Sequence, residues 1–180
     1  MIYYFTPYKK GNLGQAYNHY CNLVPNDNDW ITMMDGDIMQ LHMNWGEKWK
    51  KILKNNQDAG IITCVTNRVY DQMDKQLAKK EMFEESDLKN HRKFALDLFE
   101  EKKFTLEKLD NFMAGFFFSF KKSTWKKVGG FINGILDVDN DFLRKVKTIK
   151  ECYVAKGFYV LHYYRLCEGR YFKDHLQIKN

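Results

Sequence analysis

The sequence has 180 residues, 44% of them hydrophobic and 16% aromatic, which is enough for one well-buried domain and too little for two independent cores. With two prolines, eleven glycines and neither a Gly/Ser-rich stretch nor an internal repeat, residues 1–180 read as a single domain without a linker. The net charge of +6 favours phosphate-rich partners, but the lysines are spread along the whole chain, and the densest group, Lys121-Lys122 and Lys126-Lys127, reads as a solvated helix face.

The opening run Met1-Ile-Tyr-Tyr-Phe5 is too short for a signal peptide, and no later stretch approaches the roughly 20 apolar residues of a membrane span. Cys21, Cys64, Cys152 and Cys167 lie in or beside apolar segments with no CxxC pairing. They read as buried thiols of a reducing compartment, and the expected location is the cytoplasm.

Ile2 to Phe5 predicts a buried strand ended by Thr6-Pro7. After a loop containing Gly11, Asn12 caps a helix whose positions Leu13, Ala16, Tyr17, Tyr20 and Leu23 follow the 3.6 period up to Pro25. Trp30 to Met34 predicts a second buried strand, closed by the turn Asp35-Gly36-Asp37. Gly46 to Asn56 predicts a helix with Trp49, Ile52 and Leu53 on one face, and Gly60 to Thr66 a strand covered on both faces. The charged stretch from about Tyr70 to Lys108 spaces its apolar residues irregularly and reads as a helical, partly mobile insert with the look of a lid. Phe112 to Phe120 predicts a strand, Ser123 or Thr124 a cap on a short helix stopped by Gly129-Gly130, and Asp137 to Asp141 an acidic turn before a helix with the stripe Phe142, Leu143, Val146 and Ile149. Gly157 releases the chain into a strand, Phe158 to Leu161, that ends at His162 and passes into a basic, aromatic tail. Alternating strands and helices of these lengths predict an α/β fold, a three-layer α/β/α sandwich on a mixed, mostly parallel sheet. Ligands of such sheets sit beyond the carboxyl ends of strands, where Thr6, Asp35, Asp37, Thr66 and His162 fall.

Asp35 and Asp37, separated by one small residue in a tight turn after a buried strand, suit a hard divalent cation. Gly36 allows a positive φ and lets a phosphate come close. His162, at another strand end, offers an imidazole nitrogen; an oxygen-plus-nitrogen set suits Mn²⁺ or Mg²⁺. Its alternative is a semi-buried packing role. In Asp137-Val-Asp139-Asn-Asp141, Asp139 or Asp141 is suited to cap the following helix, and one carboxylate is suited to act as a general base.

The order of these motifs resembles the GT-A glycosyltransferases, specifically the family 2 enzymes and their small relatives in bacteria and phages. The matching pieces are Gly11 to Asn18, similar to the family's Gly-containing helix; Trp30 to Asp37, similar to its strand and DxD; Ala114 to Phe131, similar to its acceptor-side segment; the acidic cluster Asp137 to Arg144, similar to its base-bearing motif; and His162, similar to its late metal-binding His. Together they span most of the chain. Only one strand and one helix precede the triplet, so the βα unit that helps the family grip uracil is compressed or missing. The cluster also differs from the common Glu-Asp pair.

The resemblance implies a nucleotide- and metal-binding part over 1–66, the helical insert over 67–111, and an acceptor-side part with its tail over 112–180. It implies transfer of a sugar from a nucleotide-diphosphate sugar, a UDP-sugar above all, with Mn²⁺ or Mg²⁺ held by Asp35, Asp37 and His162 as the cofactor. Thr6, Pro7, Asn12, Gly14 and Asn18 would lie along the nucleotide, with Asp35 and Gly36 beside it. Asn67 and Arg68 would contact phosphate or sugar. Asp139, or else Asp137, would be the general base of an inverting reaction on an acceptor that is a glycan, a protein, a lipid-linked sugar or a modified nucleobase in DNA. The rival classes are a catalytically inactive nucleotide-sugar binder, a basic nucleic-acid-binding module and a metal-dependent phosphohydrolase.

Overall fold

A computed structural model describes residues 1–69, 71–83 and 85–163; Cys167 and the basic, aromatic tail from residue 164 onward lie outside the described residues. The described chain is an α/β sandwich. Its strands are β1 (Ile2–Phe5), β2 (Trp30–Met34), β3 (Ile38–Gln40), β4 (Ile61–Thr66), β5 (Leu106–Lys108), β6 (Phe117–Lys121) and β7 (Cys152–His162). Its helices are α1 (Leu13–Leu23), α2 (Trp45–Asn55), α3 (Leu88–Lys102), α4 (Lys122–Lys127) and α5 (Val138–Lys147).

The strands form one sheet in the order β1-β2-β6-β4-β7-β3, with β5 also on β7. β1, β2, β4 and β7 point the same way, joined directly by the parallel pairs β1–β2 and β4–β7, while β6, β3 and β5 run against them. β7 has 11 residues and carries β5 and β3 end to end on its outer edge, opposite Tyr153–Ala155 and Val160–His162. Between those two partners the register against β4 jumps from Cys64↔Ala155 to Val65↔Tyr159. Gly157 sits in that bulge because a Cβ there would come within 2.3 Å of the Lys103 carbonyl oxygen, a backbone contact that no rotamer can relieve.

The period-2 alternation of the strands sorts side chains onto two faces. Ile31, Met33, Val65, Phe118 and Phe120 join Tyr17 and Cys21 of α1 and Phe142, Leu143 and Val146 of α5 on one face. Trp30, Ile62, Cys64 and Phe117 join Trp49, Ile52 and Leu53 of α2 on the other. A polar seam crosses the sheet where Ser119 Oγ meets Thr32 Oγ1 at 2.7 Å and accepts from Trp49 Nε1 at 2.8 Å, so the buried indole has its partner.

Several local expectations change. The strand expected over 112–120 begins only at Phe117, because the backbone before it is held otherwise: Met113 N donates to Asn140 Oδ1 at 2.8 Å and Ala114 N to Gln76 Oε1 at 2.7 Å. The insert read as helical contains α3, short 3-10 segments over Asp71–Gln76 and Lys80–Phe83, and β5. Its Gln76 is fully buried and also donates to Thr63 Oγ1 and to Ala114 O, which pins the insert to β4. The capping position of α5 is Asp137, not Asp139 or Asp141; it adopts a left-handed φ of 60° and makes no side-chain cap bond. No Ser or Thr caps α4 either, since Lys121 occupies that position. Among the described residues no helix is long and apolar enough to cross a membrane.

Candidate functional site

The Asp-Gly-Asp turn lies between β2 and β3, so the chain leaves the sheet beside β6 and re-enters it beside β7. Asp35 N still donates to Phe116 O at 2.8 Å, which continues the β2–β6 ladder by one step. Asp37 O already accepts from Tyr163 N at 2.8 Å, and Ile38 pairs with His162. The backbone thereby brings His162 to both carboxylates: its Nε2 is 3.4 Å from Asp37 Oδ1 and 3.9 Å from Asp35 Oδ2. One ligand atom from each of the three residues falls within 4.8 Å of the others. The His162 ring stacks on Phe116 at 5.1 Å between centroids.

The two carboxyls differ in acidity. Burial pushes Asp35 up to about 7, reinforced by Asp37 and Asp139 and opposed by His162; the Asp35 side chain keeps 39% of its surface accessible, so solvent moderates that push. At Asp37 burial acts in the same direction, but the hydrogen bond and charge of His162 outweigh it and hold this carboxyl below the usual range.

Asp139 reaches the same place from α5. A cavity of about 110 Å³ is lined by Asp35 and Asp139 together with Leu13, Tyr17, Gly115, Ile135 and Val138. Burial raises the pKa of Asp139 although Asn140 N and nearby backbone donate to it. Gly115 makes room for this carboxyl: a Cβ there would lie 2.9 Å from Asp139 Oδ2 and 3.0 Å from its Cβ. Tyr17, in contact with the same cavity, has its phenol pushed far up by burial and by the charges of Asp35 and Asp139.

Asp137 points elsewhere. It is exposed and paired with Arg144 Nη2 at 2.5 Å, which holds its pKa low. Of the two carboxylates weighed as a base, Asp139 is the one that faces Asp35.

Asn12 Oδ1 accepts from Gln15 N at 2.9 Å as the helix cap and from Gly134 N at 3.0 Å. Asn18 engages both ends of its amide within the fold: Oδ1 accepts from Trp125 Nε1 and Phe131 N, both at 2.9 Å, and Nδ2 donates to Phe131 O at 2.8 Å. Gly14 lets α1 touch the same loop, since a Cβ would fall 1.7 Å from Ile132 O. These three residues fasten the 131–134 segment beside the cavity. Thr6 is exposed and Pro7 buried at the end of β1, and Thr6 borders the turn, its methyl lying 3.7 Å from where a Gly36 Cβ would be. Gly36 does not take a positive φ, so the turn forms without that freedom and the glycine leaves an open surface instead.

Asn67 is completely buried and accepts from His162 N at 2.9 Å and Thr66 Oγ1 at 3.1 Å, which sets the height of the histidine at the sheet end. Arg68 is only 2% exposed, with Nε donating to Phe83 O and its guanidinium 4.5 Å above the Phe83 ring. Neither residue offers its side chain to the open surface.

Leu13, Tyr17, Gly115, Ile135 and Val138 were not legible in the sequence as cavity residues. Gly115 left a readable trace, a lone glycine before an aromatic run; the others look like ordinary apolar positions. No protein-family model and no curated protein matches this sequence. The chemistry defined by the site is that of a three-residue oxygen-and-nitrogen ligand group facing a half-buried carboxylate across a small cavity.

Proposed function

We propose that the chain is a metal-dependent glycosyltransferase of the GT-A type that moves a sugar from a nucleotide-diphosphate donor, a UDP-sugar by the resemblance of its motifs, to an acceptor hydroxyl. The observation that carries this reading is the convergence of Asp35, Asp37 and His162 at the sheet end with Asp139 across the cavity from Asp35.

The donor set fits a divalent cation. Two carboxylate oxygens and one imidazole nitrogen lie within 4.8 Å of one another, and such a mixed set suits Mn²⁺ or Mg²⁺. Bound there, the cation would offset the charge that develops on the leaving diphosphate. The chain's own residues supply the rest. Asp139, whose pKa is raised by burial, is the base: it takes the proton of the acceptor hydroxyl as that oxygen bonds to the anomeric carbon. The bond from the anomeric carbon to the diphosphate oxygen breaks on the opposite face, the electron pair leaves with the diphosphate, and the configuration inverts. Leu13, Ile135 and Val138 keep the cavity walls apolar and so limit water as a competing acceptor. Buried free thiols at Cys21, Cys64 and Cys152 support a reducing compartment, the cytoplasm, as the setting.

The test is thermal stability with a panel of nucleoside diphosphates and their sugars, with and without Mn²⁺. A rise requiring both nucleotide and metal is expected, because a ligand that binds only the folded state stabilises it by mass action. Asp139→Asn should then abolish diphosphate release with acceptor present while leaving that thermal shift intact. No shift with any nucleotide, or full turnover by Asp139→Asn, would contradict the assignment.

A further inference from the structure

Around the cavity mouth the surface is unusual in both polarity and charge. Ile135 and Leu136 are consecutive and 57% and 86% exposed. Single exposed apolar side chains are ordinary; here two adjacent aliphatics project from the loop whose Ile135 also lines the cavity. The loop is fixed and cannot fold inward to bury them. Gly134 donates to Asn12 Oδ1 and accepts from Gly14 N at 3.1 Å, Asn18 holds Phe131 through its N–H and its carbonyl, and Asp137 closes the loop in a left-handed conformation locked to Arg144.

The neighbouring loop is basic. Lys9 and Lys10 are exposed beside Tyr8, and Asn12, which binds Gly134, also closes a turn by donating to Lys9 O at 3.1 Å. The two segments that build this rim contain no acid: none of the 23 Asp and Glu residues falls in 1–26 or 111–136. The nearest carboxylate on the loop, Asp137, is paired with Arg144. The two rim segments therefore carry lysines and apolar tips around a cavity whose carboxylates, Asp35 and Asp139, come from other elements.

We propose that this rim seats on an anionic phospholipid bilayer, with Ile135 and Leu136 entering the interface and Lys9 and Lys10 against the headgroups, and that the acceptor is accordingly a membrane-borne molecule. Apolar tips next to lysines that pair with no acid among the described residues are the chemistry of interfacial binding, in which acyl-chain contact and headgroup charge act together. A second copy of the chain seated on the same rim would set Lys9 and Lys10 against their own duplicates. The acceptor half of the proposal rests on the transferase reading; the docking half does not.

Flotation of the protein with phosphatidylcholine vesicles, with and without phosphatidylglycerol, tests it. Retention is expected on the anionic vesicles, falling as salt is raised. Leu136→Asp and Ile135→Asp should each lower partitioning by about tenfold or more, and the pair Lys9→Glu with Lys10→Glu should remove the preference for anionic lipid; all four positions are exposed, and circular dichroism checks that the variants fold. No retention on anionic vesicles, or retention unaltered by these substitutions, overturns the proposal, as does a concentration-dependent dimer that Leu136→Asp dissociates. Nucleotide and Mn²⁺ binding measured on the same samples separates the two readings: vesicle binding without nucleotide binding supports the docking and sinks the transferase, whereas nucleotide binding without vesicle binding sinks the docking alone.

Discussion

Asp35 and Asp37 stand one glycine apart, yet their surroundings drive their protons in opposite directions. Asp37 is held ionised by His162, whereas burial and two neighbouring carboxylates bring Asp35 to about 7. A raised folded-state pKa means that the contribution of Asp35 to the stability of the ion-free protein is complete below the ordinary carboxylate range and is lost as pH rises towards 7, where Asp35 must ionise against its neighbours. A cation reverses that cost, and only ionised Asp35 can ligate it. Calorimetric titration with Mn²⁺ should therefore show affinity strengthening as pH rises through about 7, with proton release on binding, and Asp35→Asn should flatten the dependence. Asp37→Asn should weaken binding at every pH by about tenfold or more, since its carboxylate needs no deprotonation in that range. An affinity independent of pH in the unsubstituted protein would refute this account of the pair.

The site depends on how α1 is clamped to the segment that follows α4. Asn18 makes three hydrogen bonds across that junction, and Asn18→Ala would strand the Trp125 indole N–H together with both backbone groups of Phe131. A loss of about 2–3 kcal/mol in urea unfolding is expected, because the deserted groups keep their desolvation cost. Gly14→Ala drives a methyl into the Ile132 carbonyl and should cost about 1–3 kcal/mol by overpacking; if either variant were as stable as the parent, the clamp would be unimportant. Much of this element structure was readable beforehand. The helical period of Leu13, Ala16, Tyr17 and Tyr20 and the Asn12 cap located α1, and the apolar runs of Trp30–Met34 and Ile61–Thr66 located β2 and β4. β3 and β5 were invisible because each has three residues and owes its existence to the long edge of β7. The aromatic run before Phe117 resembled strand because periodicity does not reveal that Gln76 and Asn140 capture its backbone. The cap of α5 was expected at Asp139 or Asp141 for a similar reason: the capping position is Asp137, whose side chain pairs with Arg144 instead of bonding the helix end.

Across the whole molecule, the feature that local sequence could not supply is strand order. Asp35, Asp37 and His162 were legible as strand-end residues, but their meeting follows from β3 pairing antiparallel to the last residues of β7, a contact between positions more than a hundred residues apart in the chain. Beyond the far end of β3, His42 is 3% exposed, lies between the rings of Phe99 and Phe158 at 5.4 Å each, and has Lys48 Nζ 3.4 Å from Nδ1. Burial, then the Lys48 charge, lower its pKa from 6.5 to about 4. His91 is lowered too, first by burial, although Glu85 and Asp87 oppose the shift. A depressed folded-state pKa means that the unfolded chain binds the extra proton first, so the stability that His42 contributes is complete above pH 6.5 and is lost as pH falls towards about 4. At about 1.4 kcal/mol per pH unit, His42 alone would contribute a decline of about 3 kcal/mol across that window. Asp35 contributes an opposite slope over part of this range, so the comparison is between proteins: in urea unfolding, His42→Leu, which keeps an apolar side chain in the aromatic slot, should show a slope lower than the parent's by nearly one proton's worth. If the two proteins lost stability in parallel, His42 would already be as free to protonate in the fold as in the unfolded chain.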